Sequence, residues 1–219
     1  MDEIVEWVDA QARVIALVGR LDAERAEQRV PACPEWTVRD VFSHMVGLGV
    51  DVLAGDEPDD HNAAWTQRQV DDRRGHDLPA LVAEWAGITE PMRAYMRVHG
   101  SRPLGDVVIH EQDLRGALGV PGAHDTPGLA VVRDRMLRRF APKVAGRPPI
   151  ALVGDDWRWA STDDEPAVVV RAPDFELARA LMARRSAAQL RSWTVTGDVE
   201  PYRDAFATLG TLPGSDLAE

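Results

Sequence analysis

Apolar residues recur at helical spacing along the chain as far as residue 142, with polar residues between them. Thr37 is expected to begin one helix, with Asp40 as the acidic half of a capping box, and Gly119 fits a C-terminal cap. A turn-rich break is expected at residues 30–36. The helices predicted from this pattern are 3–21, 38–54, 62–73, 78–98, 106–118 and 127–141.

Beyond residue 142 the apolar pattern shortens to a period of two, which is typical of strands. The elements predicted there are strands at 150–161, 167–173 and 192–198, helices at 175–190 and 199–210, and a frayed tail from residue 211. We therefore predict an α + α/β organisation. A bundle of four or more helices is expected over residues 1–142, and a small mixed α/β domain over residues 143–219.

Composition and charge exclude several classes of protein. The chain is 45% hydrophobic and 28% charged, as in soluble globular proteins, and it contains no apolar run of membrane-spanning length. With 25 basic and 36 acidic residues its formal charge is −11, which disfavours nucleic-acid binding. Cys33 is the single cysteine, and the N-terminus is acidic, unlike that of a signal peptide. We expect a cytoplasmic protein, monomeric or homodimeric, with neither a nucleic-acid nor a membrane partner.

The candidate chemistry lies in two predicted helices. Asp106, His110 and Asp113 share one narrow stripe of their helix, and the apolar residues beside that stripe indicate that it faces inward. An Asp and a His at i and i+4 can bind one divalent ion, and His44 can supply a third ligand. Three ligands leave a position open for water or a thiol, as in catalytic zinc sites, although other first-row metals also suit this donor set. Asp113 is better placed to orient an imidazole.

Simpler interpretations of the same residues stay open. His44 and His110 can be satisfied structural histidines, and Asp106 can be a first-turn acid favoured by the helix dipole. Cys33 has no histidine near it in sequence, which favours a buried or half-buried thiol over a nucleophile. Arg184 and Arg185 can receive a carboxylate or form a solvated helix end. The remaining histidines, expected at the surface, are His61, His76, His99 and His124.

Three segments, in order along residues 10–210, resemble a known family. VPACPEWTVRDVFSHMVGLG is similar to the Trp-Thr-Val-Arg-Asp and His segment of the mycothiol-dependent maleylpyruvate isomerase family. DVVIHEQDLRGALG resembles its acidic-x-x-x-His-x-x-Asp signature. FELARALMARRSAAQLRSWTVTGD resembles its C-terminal segment. The resemblance implies a DinB-like four-helix bundle followed by a small sterol-carrier-like domain.

This resemblance also implies which residues serve the site. The family's metal ligands fall on His44, Asp106 and His110. Two positions depart from the family pattern. Asp106 stands where the family usually has Glu, so either the ion lies nearer the helix or the site is weak, and Ala183 stands where Gly is expected before Arg184.

The implied chemistry is that of a metal-activated thiol. The expected cofactors are a divalent metal, zinc first, and mycothiol as cosubstrate, with a small electrophile as the other partner. In the isomerase, the thiol adds to the cis double bond of maleylpyruvate, the new single bond rotates, and elimination returns the trans isomer. Relatives transfer the sulfur to other electrophiles. Asp113 would orient ligands, and Arg184 or Arg185 would hold a substrate carboxylate.

Two other functions fit the same sequence. One is a non-catalytic protein whose second domain holds a small apolar ligand while the bundle serves as a scaffold. The other is a hydrolase that keeps the metal ion but uses water in place of the thiol. Metal content and dependence on a thiol separate the three hypotheses.

Overall fold

The computed structural model describes residues 2–58 and 62–218, so His61 lies outside the described residues. The described chain divides into two compact units, residues 2–122 and residues 123–218. The first is mainly helical and the second combines helices with a sheet. No helix of the described ranges has both the length and the apolar character needed to cross a bilayer.

Helices make up most of the first unit. They are α1 Glu3–Val18, α2 Ala23–Ala26, α3 Val38–Ala54, α4 Ala63–Asp71, α5 Leu78–Gly87, α6 Thr89–His99 and α7 Pro103–Leu118. The predicted caps are confirmed. Thr37 Oγ1 accepts from the Asp40 amide at 3.2 Å while the Asp40 carboxylate accepts from the Thr37 amide at 2.9 Å. Gly119 closes α7 in the left-handed conformation, at φ 65°.

Residues 30–36 form more than the predicted break. Strands β1 Arg29–Val30 and β2 Cys33–Thr37 pair antiparallel immediately before α3. The short α2 was also absent from the sequence prediction. Its four residues are too few to produce a periodic pattern.

The helix predicted over residues 78–98 is broken at Ile88, which separates α5 from α6. The Gln11 side chain of α1 makes hydrogen bonds on both sides of this break. Its Nε2 donates to the Trp85 carbonyl at 2.8 Å, and its Oε1 accepts from the Thr89 hydroxyl at 2.8 Å. The Trp85 carbonyl, which a continuous helix would pair with the Thr89 amide, instead accepts from Gln11 and from the Ile88 amide, the latter at 3.2 Å.

Helix α3 is central to the core of the first unit. It is buried without interruption from Val41 to Gly49, and the Phe42 ring packs edge-on against Trp85 at 5.4 Å. Gly47 allows α4 to approach closely, because a Cβ at this position would lie 2.5 Å from the Gln69 Cβ. The small residue therefore determines how near Gln69 comes to α3.

The second unit contains α8 Pro127–Val144, α9 Asp174–Leu181, α10 Ala187–Ser192, a 3-10 turn Glu200–Tyr202 and α11 Arg203–Phe206. Its sheet is formed by β3 Ile150–Val153, β4 Arg158–Ala160, β5 Val168–Arg171 and β6 Thr194–Thr196. The strand order is β4-β3-β5-β6. The central pair β3 and β5 is parallel, with Ile150 opposite Val168, and β3 is buried throughout. Both edge strands are antiparallel to their neighbours. The second unit is therefore a mixed α/β domain, as the sequence predicts.

Helix α8 belongs to the second unit, so the chain divides near residue 122 instead of at the predicted residue 142. The apolar face of α8 packs within that unit. Phe140 contacts Phe206 at a ring separation of 4.7 Å and Trp159 at 5.6 Å. Helical periodicity alone does not reveal which partner covers a helix face, and here the partners lie later in the chain.

Other features of the second unit also differ from the sequence prediction. The strand expected over residues 150–161 is the antiparallel pair β3 and β4, and the helix expected over residues 199–210 is reduced to the 3-10 turn and α11. The helix expected over residues 175–190 is split into α9 and α10 because Ala183 takes the left-handed conformation, at φ 58°. The tail is not frayed over its described part. Asp216 accepts a hydrogen bond from the Ser186 hydroxyl, and the Gln189 amide nitrogen donates to the Leu217 carbonyl at 2.8 Å.

Candidate metal centre

Helices α3 and α7 bring His44, Asp106 and His110 together. The Asp106 Oδ1 lies 3.3 Å from the His44 Nε2 and 3.5 Å from the His110 Nε2. The two imidazole rings meet edge to face, with centroids 5.0 Å apart. His44 is 4% exposed and His110 9%, so both rings are withdrawn from water. Two buried imidazoles thus converge on one carboxylate oxygen.

These separations fit a small divalent cation. Ligand atoms at about 2.0–2.1 Å from a tetrahedral zinc are about 3.3–3.4 Å from one another. The two measured nitrogen–oxygen separations match this spacing, and one ligand atom of each residue lies within 4.8 Å of the others. Two imidazoles and a carboxylate are also a common donor set for zinc and other first-row metals. The shorter Asp106 side chain, in place of the expected Glu, reaches both rings.

A hydrogen bond orients the His44 ring from behind. The Gln69 Oε1 lies 2.7 Å from the His44 Nδ1, and the Gln69 Nε2 donates to the Asp51 carboxylate at 2.8 Å. Since the Asp51 contact requires the amide nitrogen on that side, the amide oxygen faces His44. Nδ1 is then the protonated nitrogen, and the lone pair of a neutral imidazole is on Nε2, toward Asp106.

A second hydrogen bond orients His110 in the same way. The Asp113 Oδ2 lies 2.9 Å from the His110 Nδ1, which places the lone pair of the neutral ring on Nε2. Asp113 is 1% exposed and also accepts from the Cys33 Sγ at 3.6 Å. The arrangement supports the predicted orienting role of Asp113.

Negative charge at the centre affects the His44 ring. Burial lowers the pKa of His44, but the Asp106 carboxylate and the hydrogen bonds to Asp106 and Gln69 outweigh that effect, so the pKa lies above its usual value. The same carboxylate favours any cation between the rings. This pocket is therefore suited to positive charge in spite of its burial.

The structure adds three residues that sequence reasoning did not assign to the site. Gln69 lies on another helix, and nothing in its sequence context indicates the contact. The Trp36 ring lies 5.1 Å from the His44 ring. Cys33 is half-buried, as expected, but a histidine does lie near it in space: its Sγ is within 4.8 Å of a His110 ring nitrogen. Trp36 and Cys33 both belong to β2, and only the tertiary structure places this strand beside α3 and α7.

The other candidate residues have different surroundings. Arg185, in the second unit, is fully buried and its Nε donates to the Glu176 carboxylate at 2.5 Å. Arg184 is 9% exposed, and its Nη1 donates to the Met182 carbonyl at 3.2 Å. Both arginines are thus buried, and the alternative that they form a solvated helix end is wrong. Their role toward a substrate stays a prediction.

The remaining described histidines divide into two groups. His76 and His99 are exposed, as expected. His124 is half-buried instead, because its ring stacks on Phe175 at a centroid separation of 3.8 Å. None of these three lies in the clusters of candidate metal ligands found among the described residues.

The fold and the site together define a helical domain in which two histidines and an aspartate form a candidate metal centre. Residues 7–115 match the family model of the mycothiol maleylpyruvate isomerase N-terminal domain. The match runs from α1 into the last turn of α7 and includes all three candidate ligands, so through its first unit the chain belongs to this family. Comparisons with curated proteins and with solved structures find no match.

Proposed function

We propose that this protein is a metal-dependent enzyme that uses mycothiol to act on a small electrophile. The observation that carries the proposal is the convergence of the two Nε2 atoms on the Asp106 Oδ1, with both Nδ1 atoms held by hydrogen-bond acceptors. That arrangement presents neutral nitrogen lone pairs and one carboxylate to the same point. The family match supports mycothiol as the thiol.

Each residue has a distinct part in this proposal. His44, Asp106 and His110 hold the cation, which is zinc in the first instance, and Gln69 and Asp113 keep the two rings in the required orientation. When bound, the cation supplies positive charge that favours the deprotonated form of a thiol ligand. Trp36 limits the access of water from one side, since its ring lies against His44. The reaction is then either isomerisation, in which the thiol adds to a double bond, the single bond rotates and the thiol is eliminated again, or transfer of the sulfur to another electrophile.

The finer fold assignments are also proposals. The packing of α1, α3, α6 and α7 supports a DinB-like four-helix bundle, because α1 and α3 each contact both α6 and α7. The four-stranded mixed sheet with flanking helices supports a sterol-carrier-like second domain. In such a bundle, ligands from facing helices meet in the interior, as His44 and His110 do.

Metal analysis of the purified protein tests the proposal first. We expect about one tightly held divalent ion per chain, as three protein ligands of this type provide. His44→Ala and His110→Ala should lose the ion, while His99→Ala, which removes an exposed imidazole, should keep it. A wild type that folds normally but holds no metal after incubation with zinc would reject the proposal.

Thiol binding is tested on protein loaded with cobalt, whose absorption spectrum reports its ligands. Mycothiol should produce a sulfur-to-cobalt absorption band in the wild type and none in His110→Ala. Turnover of maleylpyruvate or another electrophile should then require both the ion and the thiol. Metal-dependent hydrolysis without any thiol would favour the hydrolase. A bound ion with no response to thiols and no turnover would favour the non-catalytic binding protein.

A further inference from the structure

A polar cavity lies in the first unit, and neither His44 nor His110 is among the residues that line it. Its volume is about 300 Å³, at the lower end of the range for small-molecule sites. The charged residues that line it are Arg29, Arg39, Arg73, Arg74, Glu27 and Asp40. Four arginines and two acids meet there in a chain whose formal charge is −11. The lining of the cavity therefore has more arginines than acids, in a protein that is acidic as a whole.

Three of the four arginines have a carboxylate partner. Arg73 is buried and firmly held, because its guanidinium pairs with the Glu84 carboxylate at 2.7 Å. Arg29 donates to the Glu35 carbonyl at 2.6 Å and, among the described residues, has no carboxylate partner. Arg39 pairs with Glu27 at 2.5 Å and Arg74 with Asp71 at 2.7 Å. Both pairs are at the surface, and such pairs are weak enough for a bound anion to compete for the guanidinium.

Asp40, one of the two acids that line the cavity, is part of the N-terminal cap of α3. The Asp40 carboxylate accepts from the Thr37 amide and completes the capping box of α3. The first turn of this long helix also contributes partial positive charge to the cavity that it borders. Ser43, one turn further along α3, is buried and lines the cavity with a hydroxyl that can donate.

We propose that this cavity binds a small phosphomonoester. Guanidinium groups from β1, from the first turn of α3 and from the turn after α4 surround one compact space, which suits a tetrahedral dianion better than a planar carboxylate. Val70 is the single apolar residue among the described residues that line the cavity, so the organic part of the ligand is polar and small.

The cavity is independent of the proposed metal chemistry but shares two helices with it. Ser43 and His44 are neighbours on α3 and project about 100° apart, so they face different sides of that helix. Arg73 lines the cavity, and its Nη1 donates to the Gln69 carbonyl at 3.2 Å. Gln69 in turn orients His44. Arg73 is thus linked to the centre through Gln69, but its guanidinium is already held by Glu84 at 2.7 Å.

Calorimetric titration of metal-free protein tests this site, with inorganic phosphate, glycerol 3-phosphate and malonate as separate probes. We expect glycerol 3-phosphate to bind more tightly than phosphate, and malonate least. Arg39→Gln and Arg74→Gln, which change surface side chains, should each weaken phosphate binding about tenfold, the loss of one charged hydrogen bond. Arg97→Gln removes an exposed arginine of α6 and should leave the affinity unchanged.

A third variant separates this cavity from the metal centre. His110→Ala should bind phosphate as the wild type does, because His110 does not line the cavity. Equal loss of binding in Arg97→Gln would mean that only the general charge matters, and would overturn the proposal. So would binding that depends on His110, a preference for malonate, or no detectable heat with either phosphate.

Discussion

The Gln69 amide oxygen lies 2.7 Å from the His44 Nδ1, although the two residues belong to different helices. Gln69 is 1% exposed and its amide nitrogen is held by Asp51 at 2.8 Å, so the side chain cannot turn over without losing both bonds. The ring nitrogen that faces Asp106 is determined by this contact. The orientation of a buried amide therefore decides which atom of His44 is available to a cation.

Gln69→Leu should weaken zinc binding about 10- to 100-fold, because the His44 ring loses the acceptor that orients it. Competition with a chromophoric chelator measures this affinity. Gln28→Leu is a matched control, since the Gln28 amide also bonds to a distant helix, at the Ala117 carbonyl, but lies outside the centre. Equal zinc affinity in wild type and Gln69→Leu would show that Gln69 has no orienting role.

Gly47→Ala should destabilise the first unit by about 1–3 kcal/mol, since the new methyl group would overlap Gln69 and push α4 away. Zinc affinity should fall as well, because Gln69 moves with α4. Denaturant unfolding and chelator competition measure the two effects. In Gly87→Ala the added methyl meets open space at the end of α5, and this variant should be neutral or slightly stabilising.

Glu111→Gln should cost about 2–3 kcal/mol of unfolding free energy, because it leaves two guanidinium groups without their shared carboxylate. Glu111 is 1% exposed and accepts from Arg13 of α1 and Arg115 of α7, both at 2.8–3.0 Å. The exposed pair of Glu90 with Arg93 is the comparison. Glu90→Gln should change stability by less than about 1 kcal/mol, and a similar loss in both variants would contradict the assignment.

Ala183→Gly should stabilise the second unit by about 0.5–1 kcal/mol, because Ala183 occupies the left-handed region at φ 58°, where a Cβ is unfavourable. Thermal unfolding measures the change. Ala188→Gly, within α10, should destabilise by a similar amount, since glycine weakens a helix interior. Destabilisation by both substitutions would argue against strain at Ala183.

Asp204→Asn should reduce the loss of stability of the second unit at acid pH. Hydrogen bonds from Arg147 are the main reason that the pKa of Asp204 is lowered from 3.8 to about 2, and they outweigh the opposing effect of burial. A lowered folded-state pKa means that the stabilisation is present above 3.8 and is lost as pH falls toward about 2. Since the Asp204 side chain is 68% exposed, the effect should stay below about 1 kcal/mol.

The unfolding free energy is measured at pH 4.5, 3 and 2, because these values span the pH range in which linkage predicts the loss of stability. The wild type should lose more stability across this range than Asp204→Asn does. Asp163→Asn, at an exposed turn, should follow the wild type. Parallel curves for wild type and Asp204→Asn would show that the ion pair has no influence on acid stability.

Local sequence was sufficient for several features of the fold. The capping box at Thr37 and Asp40 and the left-handed cap at Gly119 depend on residues within a few positions of each other, and both were predicted correctly. The stripe formed by Asp106, His110 and Asp113 was also visible, because helical geometry places these residues on one face. The inclusion of His44 required the further assumption that its helix lies beside the helix of Asp106. In the structure α3 and α7 do meet at these two residues.

Where the sequence prediction failed, the responsible contact comes from a distant part of the chain. The break at Ile88 lies where Gln11 of α1 bonds to the Trp85 carbonyl and to the Thr89 hydroxyl. Phe206 and Trp159 cover α8, which therefore joins the second unit. Periodicity identifies the apolar face of a helix, but the partner for that face depends on the packing of the whole unit.

The sequence by itself determined the two-part organisation, the helix caps and the residue types that a cation requires. Only the tertiary structure decided how the centre is supported, with Gln69 behind one ring, Asp113 and Cys33 behind the other, and Trp36 at its side. The physical reason is the range of the interactions. Backbone hydrogen bonds and caps act within a few residues, whereas the orientation of a buried imidazole depends on side chains that folding brings together from separate elements.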